Sequence, residues 1–288
     1  MKFDNLLTGF IPQPQGRDGL ALAVLLARQT GAHLTVATVK PPAWGAPGPA
    51  RADASAWAAY LEEQATAALA QARELAGDDA DYITHTHKGS GRGLVELARK
   101  RGAAAVVIGS APGGTVGRIA LGSTADQLLH ASPVPVVLAP LGYSEAPPPA
   151  LERITVAYRR GPCADPLLKN AAGLAGALDL PLRLVTLLVS SAKPAKVEED
   201  MLLRLRDQAT ADLKAAARGH RRRAEVEVEI LEGRSVPQAV HSGVWLPGEL
   251  IICASSDSGP LRRVFLGDTS IKIVRAATRP VMILTRQT

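Results

Sequence analysis

The 288-residue chain carries 33 basic and 27 acidic side chains, a net charge of +6, and 47% hydrophobic against 21% charged residues, which excludes global disorder. Aromatic residues make up 3%, too few for a surface that stacks on nucleic-acid bases, and the two cysteines cannot frame a disulfide scaffold, so a reducing, cytoplasmic setting is expected. The opening Met1-Lys2-Phe3-Asp4-Asn5-Leu6-Leu7 lacks the apolar core of a signal peptide, and the run Leu20–Ala27 is far shorter than the about 20 apolar residues of a membrane span, so no membrane contact is expected.

The predicted elements alternate between strand and helix. The first half reads as strand Asn5–Phe10, helix Asp18–Thr30 ended by Gly31, strand His33–Val39, helix Asp53–Ala76 ended by Gly77, strand Tyr82–His87, helix Leu94–Arg101, strand Ala104–Ile108, helix Ser123–His130 and strand Val134–Ala139. The segment Leu141–Ala150, with Pro147-Pro148-Pro149 in a row, reads as an extended spacer. The second half repeats the order as Ile154–Tyr158, Asp165–Leu178, Leu182–Val189, Val197–Arg218, Glu225–Leu231, Pro237–Ser242, Leu250–Cys253, Thr269–Ala276 and Val281–Thr285. Strands separated by helices indicate parallel sheets with crossover helices, and Val106-Val107-Ile108 and Ile251-Ile252 are apolar on both faces, as central parallel strands are.

The halves are copies. Gly109 and Ala254, Gly122 and Gly267, and Pro135 and Pro280 each stand 145 residues apart in matching contexts. The expected organisation is therefore an α/β protein of two tandem flavodoxin/Rossmann-like domains. Each is a five-stranded, mainly parallel sheet with helices on both faces, over residues 1–140 and 153–288, joined by a linker at 141–152.

In an open parallel sheet a ligand binds beyond the carboxyl ends of the strands, where the strand order switches. The segment in that position is Gly109-Ser110-Ala111-Pro112-Gly113-Gly114-Thr115-Val116-Gly117, followed after Arg118 by Gly122-Ser123-Thr124 at a helix start. Glycines admit close backbone approach, helix N-terminal amides bind phosphate, and Ser123 and Thr124 add hydroxyl donors. Arg118 adds a charged donor whose direction the sequence does not give.

These residues resemble the universal stress protein family in its tandem two-domain form. The family's adenine-nucleotide signature, Gly-x2-Gly-x9-Gly-(Ser/Thr) after the fourth strand, falls on Gly109, Pro112, Gly122 and Ser123, with Gly113 one residue late. The resemblance implies a regulatory protein that binds ATP or another adenine nucleotide in the first half only, through Gly109, Gly113, Arg118, Gly122, Ser123 and Thr124. Pro112 has no amide hydrogen, so the cradle is either altered or lost. In the second half the frame gives Ala254, Asp257, Gly267 and Asp268, where a carboxylate would repel phosphate. The acid that the family places after its first strand is absent at Phe10, Ile11 and Arg159. The resemblance also implies that the final strands pair antiparallel, as a pseudo-dimer of the halves within one chain or as a homodimer between chains.

The remaining signals have ordinary explanations. Lys88-Gly89-Ser90-Gly91-Arg92-Gly93 fits no phosphate-loop pattern and reads as a flexible strand-to-helix turn, with contact to phosphate from the side through Lys88 and Arg92 as the alternative. His85 and His87 share a strand face without a third ligand at a diagnostic spacing, so no metal site is expected. The run Arg218-Gly219-His220-Arg221-Arg222-Arg223 reads as a solvated helix end rather than a nucleic-acid patch, and Cys253 as a packing residue; Cys163 follows a strand end. No catalytic constellation is readable. Three functions stay open: a nucleotide-binding stress regulator, a non-nucleotide interaction scaffold acting through dimerisation, and an enzyme such as an ATP hydrolase or transferase, for which no base or nucleophile can be named.

Overall fold

The computed structural model describes residues 2–43, 51–161, 164–190, 196–220, 224–254 and 268–284. The first half runs β1 (Asn5–Gly9), α1 (Pro14–Thr30), β2 (His33–Lys40), α2 (Arg51–Ala76), β3 (Asp81–Thr86), α3 (Ser90–Arg101), β4 (Ala105–Gly109), α4 (Ser123–Ala131) and β5 (Val136–Ala139). The second runs β6 (Arg153–Ala157), α5 (Ala164–Ala177), β7 (Leu182–Val189), α6 (Lys196–Arg218), β8 (Val226–Gly233), α7 (Val236–Ser242), β9 (Glu249–Ala254), α8 (Asp268–Ala276) and β10 (Val281–Leu284).

The described strands join one ten-stranded sheet in the order β3-β2-β1-β4-β5-β10-β9-β6-β7-β8. Within each half the pairings are parallel, and the order 3-2-1-4-5 is that of a Rossmann-type unit rather than of flavodoxin. The halves meet where β5 and β10 pair antiparallel, with Leu138 opposite Val281 and Val136 opposite Ile283. Both strands are buried along their whole length, so the seam lies inside the molecule.

The apolar pattern explains the layers. Helices α1, α2, α5 and α6 cover one face of the sheet over a core that runs from Phe3 and Leu22 to Leu184 and Met282. Helices α3, α4, α7 and α8 cover the other, over a core that runs from Leu94 and Leu128 to Ile251 and Ile283. Each core contains residues of both halves, so apolar burial, the main favourable term in folding, crosses the seam on both faces.

Three expectations are corrected. Helix α1 starts at Pro14, not Asp18; proline suits a first helical position because its missing amide hydrogen has no partner there anyway. The Lys88–Gly93 segment is not a flexible loop, because α3 already begins at Ser90. Its glycines let neighbours close in: a Cβ on Gly91 would stand 2.6 Å from both Gln127 Cβ and the Thr124 carbonyl oxygen, and one on Gly93 2.8 Å from Val39.

The interdomain segment, in turn, is not a free extended spacer. Gly142 takes φ +83° and opens a single 3-10 turn, Tyr143–Glu145. The fully buried Asp18 carboxylate accepts hydrogen bonds from Gly142 N and Ser144 N, both at 2.8 Å, and from Ser144 Oγ at 2.7 Å. Further on, Arg28 donates to the Pro149 carbonyl at 2.6 Å, and Gln29 exchanges two hydrogen bonds with the Leu151 backbone. The segment therefore lies along α1 from its second turn to its last.

Candidate functional site

The strand order reverses between β1 and β4, and a cleft of about 210 Å³ opens there. Its floor is made by the ends of those strands, Gly9 and Gly109, and its walls include Phe10, Val39, Leu94 and Ile108. Among the described residues, none that lines it carries a charged side chain. The volume is below the roughly 300–1,000 Å³ of sites that enclose a drug-sized ligand.

Three helices start at this cleft. Gln15 and Gly16 of α1, Ser90 of α3, and Ser123, Thr124 and Ala125 of α4 all line it. None of the three N-caps, Gln13, Gly89 and Gly122, gives its helix a side-chain cap. The first amides of a helix have no intrahelical acceptor and carry the positive end of its dipole. In α4 the Asp126 amide reaches the Gly122 carbonyl at 2.9 Å, leaving the amides of Ser123, Thr124 and Ala125 at the cleft. The Ser90 and Thr124 hydroxyls hydrogen-bond at 2.6 Å and tie the starts of α3 and α4 together.

Of the residues singled out in the sequence, Gly109, Gly122, Ser123 and Thr124 come together in the cleft, and Gly113 and Arg118 do not. The two glycines serve contacts within the chain: a Cβ on Gly109 would collide with the Gln15 carbonyl oxygen, and one on Gly122 would stand 2.8 Å from Ala111 Cβ. Pro112 lies on the cleft wall and leaves it open. Gly113 sits beyond it at φ +77°, the residue order of a type II turn, which is why the glycine falls one position after the expected place. Arg118 points away, to the second half: its Nη1 donates to the Ala276 carbonyl oxygen and lies 2.6 Å from His241 Nε2.

Phe10, Gln15, Gly16 and Ser90 also build the cleft and were not singled out as ligand groups. Phe10 and Ile11, the place of the missing acid, stand on its wall, so that wall is apolar. The pair Pro14-Gln15 before Gly16 was the readable signal, since Pro followed by small or polar residues marks a helix start.

Other groups are accounted for. His85 Nε2 lies 3.1 Å and His87 Nε2 3.5 Å from the Glu96 carboxylate, and His87 Nδ1 accepts from the Gly89 amide at 2.9 Å. No group of three or more ligating side chains that could hold a metal occurs among the described residues. Cys253 is buried in β9, where burial pushes its thiol up to about 12. Cys163, Asp257, Gly267 and Arg221–Arg223 lie outside the described residues. Asp268 opens α8 with an exposed side chain held by Lys272 at 2.6 Å. Among the described residues no helix is long and apolar enough to cross a membrane.

The second half carries a feature with no sequence signal. Glu249, fully buried, accepts from Arg183 Nη2 at 2.7 Å, from Arg153 Nε and Nη2 at 3.1 and 2.9 Å, from the Leu246 amide at 2.9 Å and from Thr155 Oγ1. Arg183, 2% exposed, also stacks 4.5 Å over the Trp245 ring. In the first half the registers place Leu7 and Thr35 where Thr155 and Arg183 stand, so this network belongs to the second copy alone.

Comparison with known proteins agrees with this architecture. Residues 2–140 and 150–285 each match the universal stress protein family. A universal stress protein of Mycobacterium tuberculosis is 31% identical over 291 residues, covering 97% of this chain and 99% of its own, and one of Mycobacterium bovis matches equally. Among solved structures, a universal stress protein from Archaeoglobus fulgidus superposes with a TM-score of 0.58 at 20% identity, over 99% of this chain and 97% of its own. A protein described as a putative universal stress protein, from Pseudomonas aeruginosa, gives 0.59 at 15% identity over 98% and 93%. At these identities the two structures speak to the fold alone.

Proposed function

The chain belongs to the universal stress protein family in a tandem two-domain form, and from that premise we propose that its first half binds an adenine nucleotide such as ATP, one per chain, in the β1–β4 cleft. One observation carries the reading. The uncapped first turn of α4, with Ser123 and Thr124, faces a cleft whose described lining carries no carboxylate, and the starts of α1 and α3 add their dipoles to the same place. The chemistry of that donor set suits phosphate. The apolar wall with Phe10, Val39 and Ile108 suits a base, held by contact and without the acid found elsewhere in the family. In the second half Asp268 replaces the first-turn serine, and its carboxylate opposes phosphate there. We place the protein in the cytoplasm as a regulator.

Protein purified without added nucleotide, then heat-extracted and analysed by chromatography, is expected to release ATP, ADP or AMP, or in their absence to bind ATP with one site per chain. Failure to bind at millimolar ATP removes this reading. A second reading is then favoured by a separate observation, the shared cores across the β5–β10 seam. On that reading the paired halves form an interaction scaffold whose partner binding does not respond to nucleotide.

A further inference from the structure

We propose that the second half sets and senses the loop that walls the first-half cleft, and that Arg118 is the connection. Residues 110–122 form a closed loop: the Ala111 amide donates to the Ala120 carbonyl at 2.8 Å, and Ser110 Oγ accepts from the Ala120 amide at 2.8 Å. One side of it, Ser110, Ala111, Pro112 and Gly122, lines the cleft. The other side is tied down twice. The Gly117 amide donates to the Leu141 carbonyl at 2.8 Å and the Leu141 amide to the Arg118 carbonyl at 2.9 Å, which fastens the loop to the interdomain segment. The Arg118 guanidinium then crosses to the second half, where it meets the carbonyl of Ala276, 158 residues away, and His241 Nε2 at 2.6 Å.

The chemistry of that contact is specific. Ala276 is the last residue of α8, and the final carbonyls of a helix lack intrahelical donors and carry the negative end of its dipole. A guanidinium from the other half caps that end. His241 Nε2, on α7, lies 3.2 Å from the same carbonyl, so α7, α8 and the loop meet at one point. Helix α8 begins at Asp268, the position that matches Ser123 at the start of α4. A side chain held on Ala276 is unavailable to a ligand in the cleft. Any ligand that draws the loop inward works against this anchor, and by linkage any change at α7 and α8 alters the loop in return.

Hydrogen exchange on the full chain tests this in both directions. In Arg118→Ala we expect amides at 115–121 and also at 274–277 to exchange about tenfold faster, within the roughly 5- to 150-fold span of such couplings, while β2 and β7 keep wild-type rates. In His241→Ala, altered only in the second half, amides at 115–121 should also quicken, and the double variant should add little to either single change. The proposal is overturned if Arg118→Ala leaves 274–277 at wild-type rates, or if His241→Ala leaves 115–121 unchanged. A further arm uses ATP and rests on the nucleotide reading. Saturating ATP should change exchange at 236–242 and 274–277 in the wild type but not in Arg118→Ala. Binding without such a change overturns the sensing role, whereas a wild type that binds no ATP refutes the nucleotide reading and leaves the anchor to be judged by the first two variants.

Discussion

Gly19 of α1 lies against the backbone of Gly109 at the end of β4, so close that a Cβ on Gly19 would stand 2.7 Å from the Gly109 amide nitrogen. The first turns of α1 are thereby pressed onto the strand end that floors the cleft, with Gly109 in turn against Gln15. Gly109→Ala forces that helix start outward. Overpacking of this kind costs about 1–3 kcal/mol, which denaturant unfolding should register as a lower midpoint, and it should weaken nucleotide binding at the same time. An alanine variant as stable as the wild type would show that the contact is slack.

Asp18 is a buried carboxylate held by three donors, two of them backbone amides of the interdomain segment. Asp18→Ala leaves those donors without an acceptor and should cost about 2–4 kcal/mol. The sharper readout is limited proteolysis, which should begin to cut within 142–150 in the variant and not in the wild type. Unchanged resistance there would mean that Arg28, Gln29 and the backbone contacts of Leu141 suffice to hold the segment.

The Glu249 network should break asymmetrically. Glu249→Ala takes away the buried carboxylate of Arg183 and leaves the guanidinium with Glu229 alone, at 3.0 Å, so the loss should lie at or below the about 3–5 kcal/mol of an unpaired buried charge. Arg183→Met in the same chain should cost less than it does alone, because its contact with Glu249 is already gone. A double-mutant cycle with no coupling would argue against a direct pair.

The fold was legible in the sequence and much of its wiring was not. Apolar runs such as Val106–Ile108 and the match of Gly109 with Ala254 and Pro135 with Pro280 point to the strands and the duplication, since these are local or periodic signals, whereas the antiparallel seam came only with the family resemblance. Gly122, Ser123 and Thr124 were found because a helix start after a buried strand is readable from spacing. The direction of Arg118, the clamp by Asp18 and the Glu249 network are contacts between residues 66 to 158 positions apart, which no periodicity reports. The glycines of 89–93 misled for a different reason: in the chain they look flexible, and only the neighbouring α4 and β2 show that they serve close packing.

Burial also sets a pH response. The Cys253 thiol is pushed up from 9.0 to about 12, and burial raises the Tyr143 phenol as well. Both hold their protons more tightly folded than unfolded, so their stabilisation is intact below about pH 9 and is lost as pH climbs toward 12. The slope reaches at most about 1.4 kcal/mol per pH unit for each proton. Denaturant midpoints should fall between pH 9 and 11, and Cys253→Ala should flatten part of that fall, leaving the tyrosine share. A midpoint constant over that range would contradict the buried thiol.

If the start of α4 receives phosphate, Ser123→Asp should abolish nucleotide binding without unfolding the chain. This change gives the first half the residue that opens α8 in the second. A carboxylate at a helix N-terminus favours the helix by about 0.3–1 kcal/mol, so the fold should hold, yet it repels phosphate at the same point. Titration calorimetry with ATP should show one site per chain in the wild type and none in Ser123→Asp at equal thermal stability. ATP binding that survives this substitution at wild-type affinity would contradict the account.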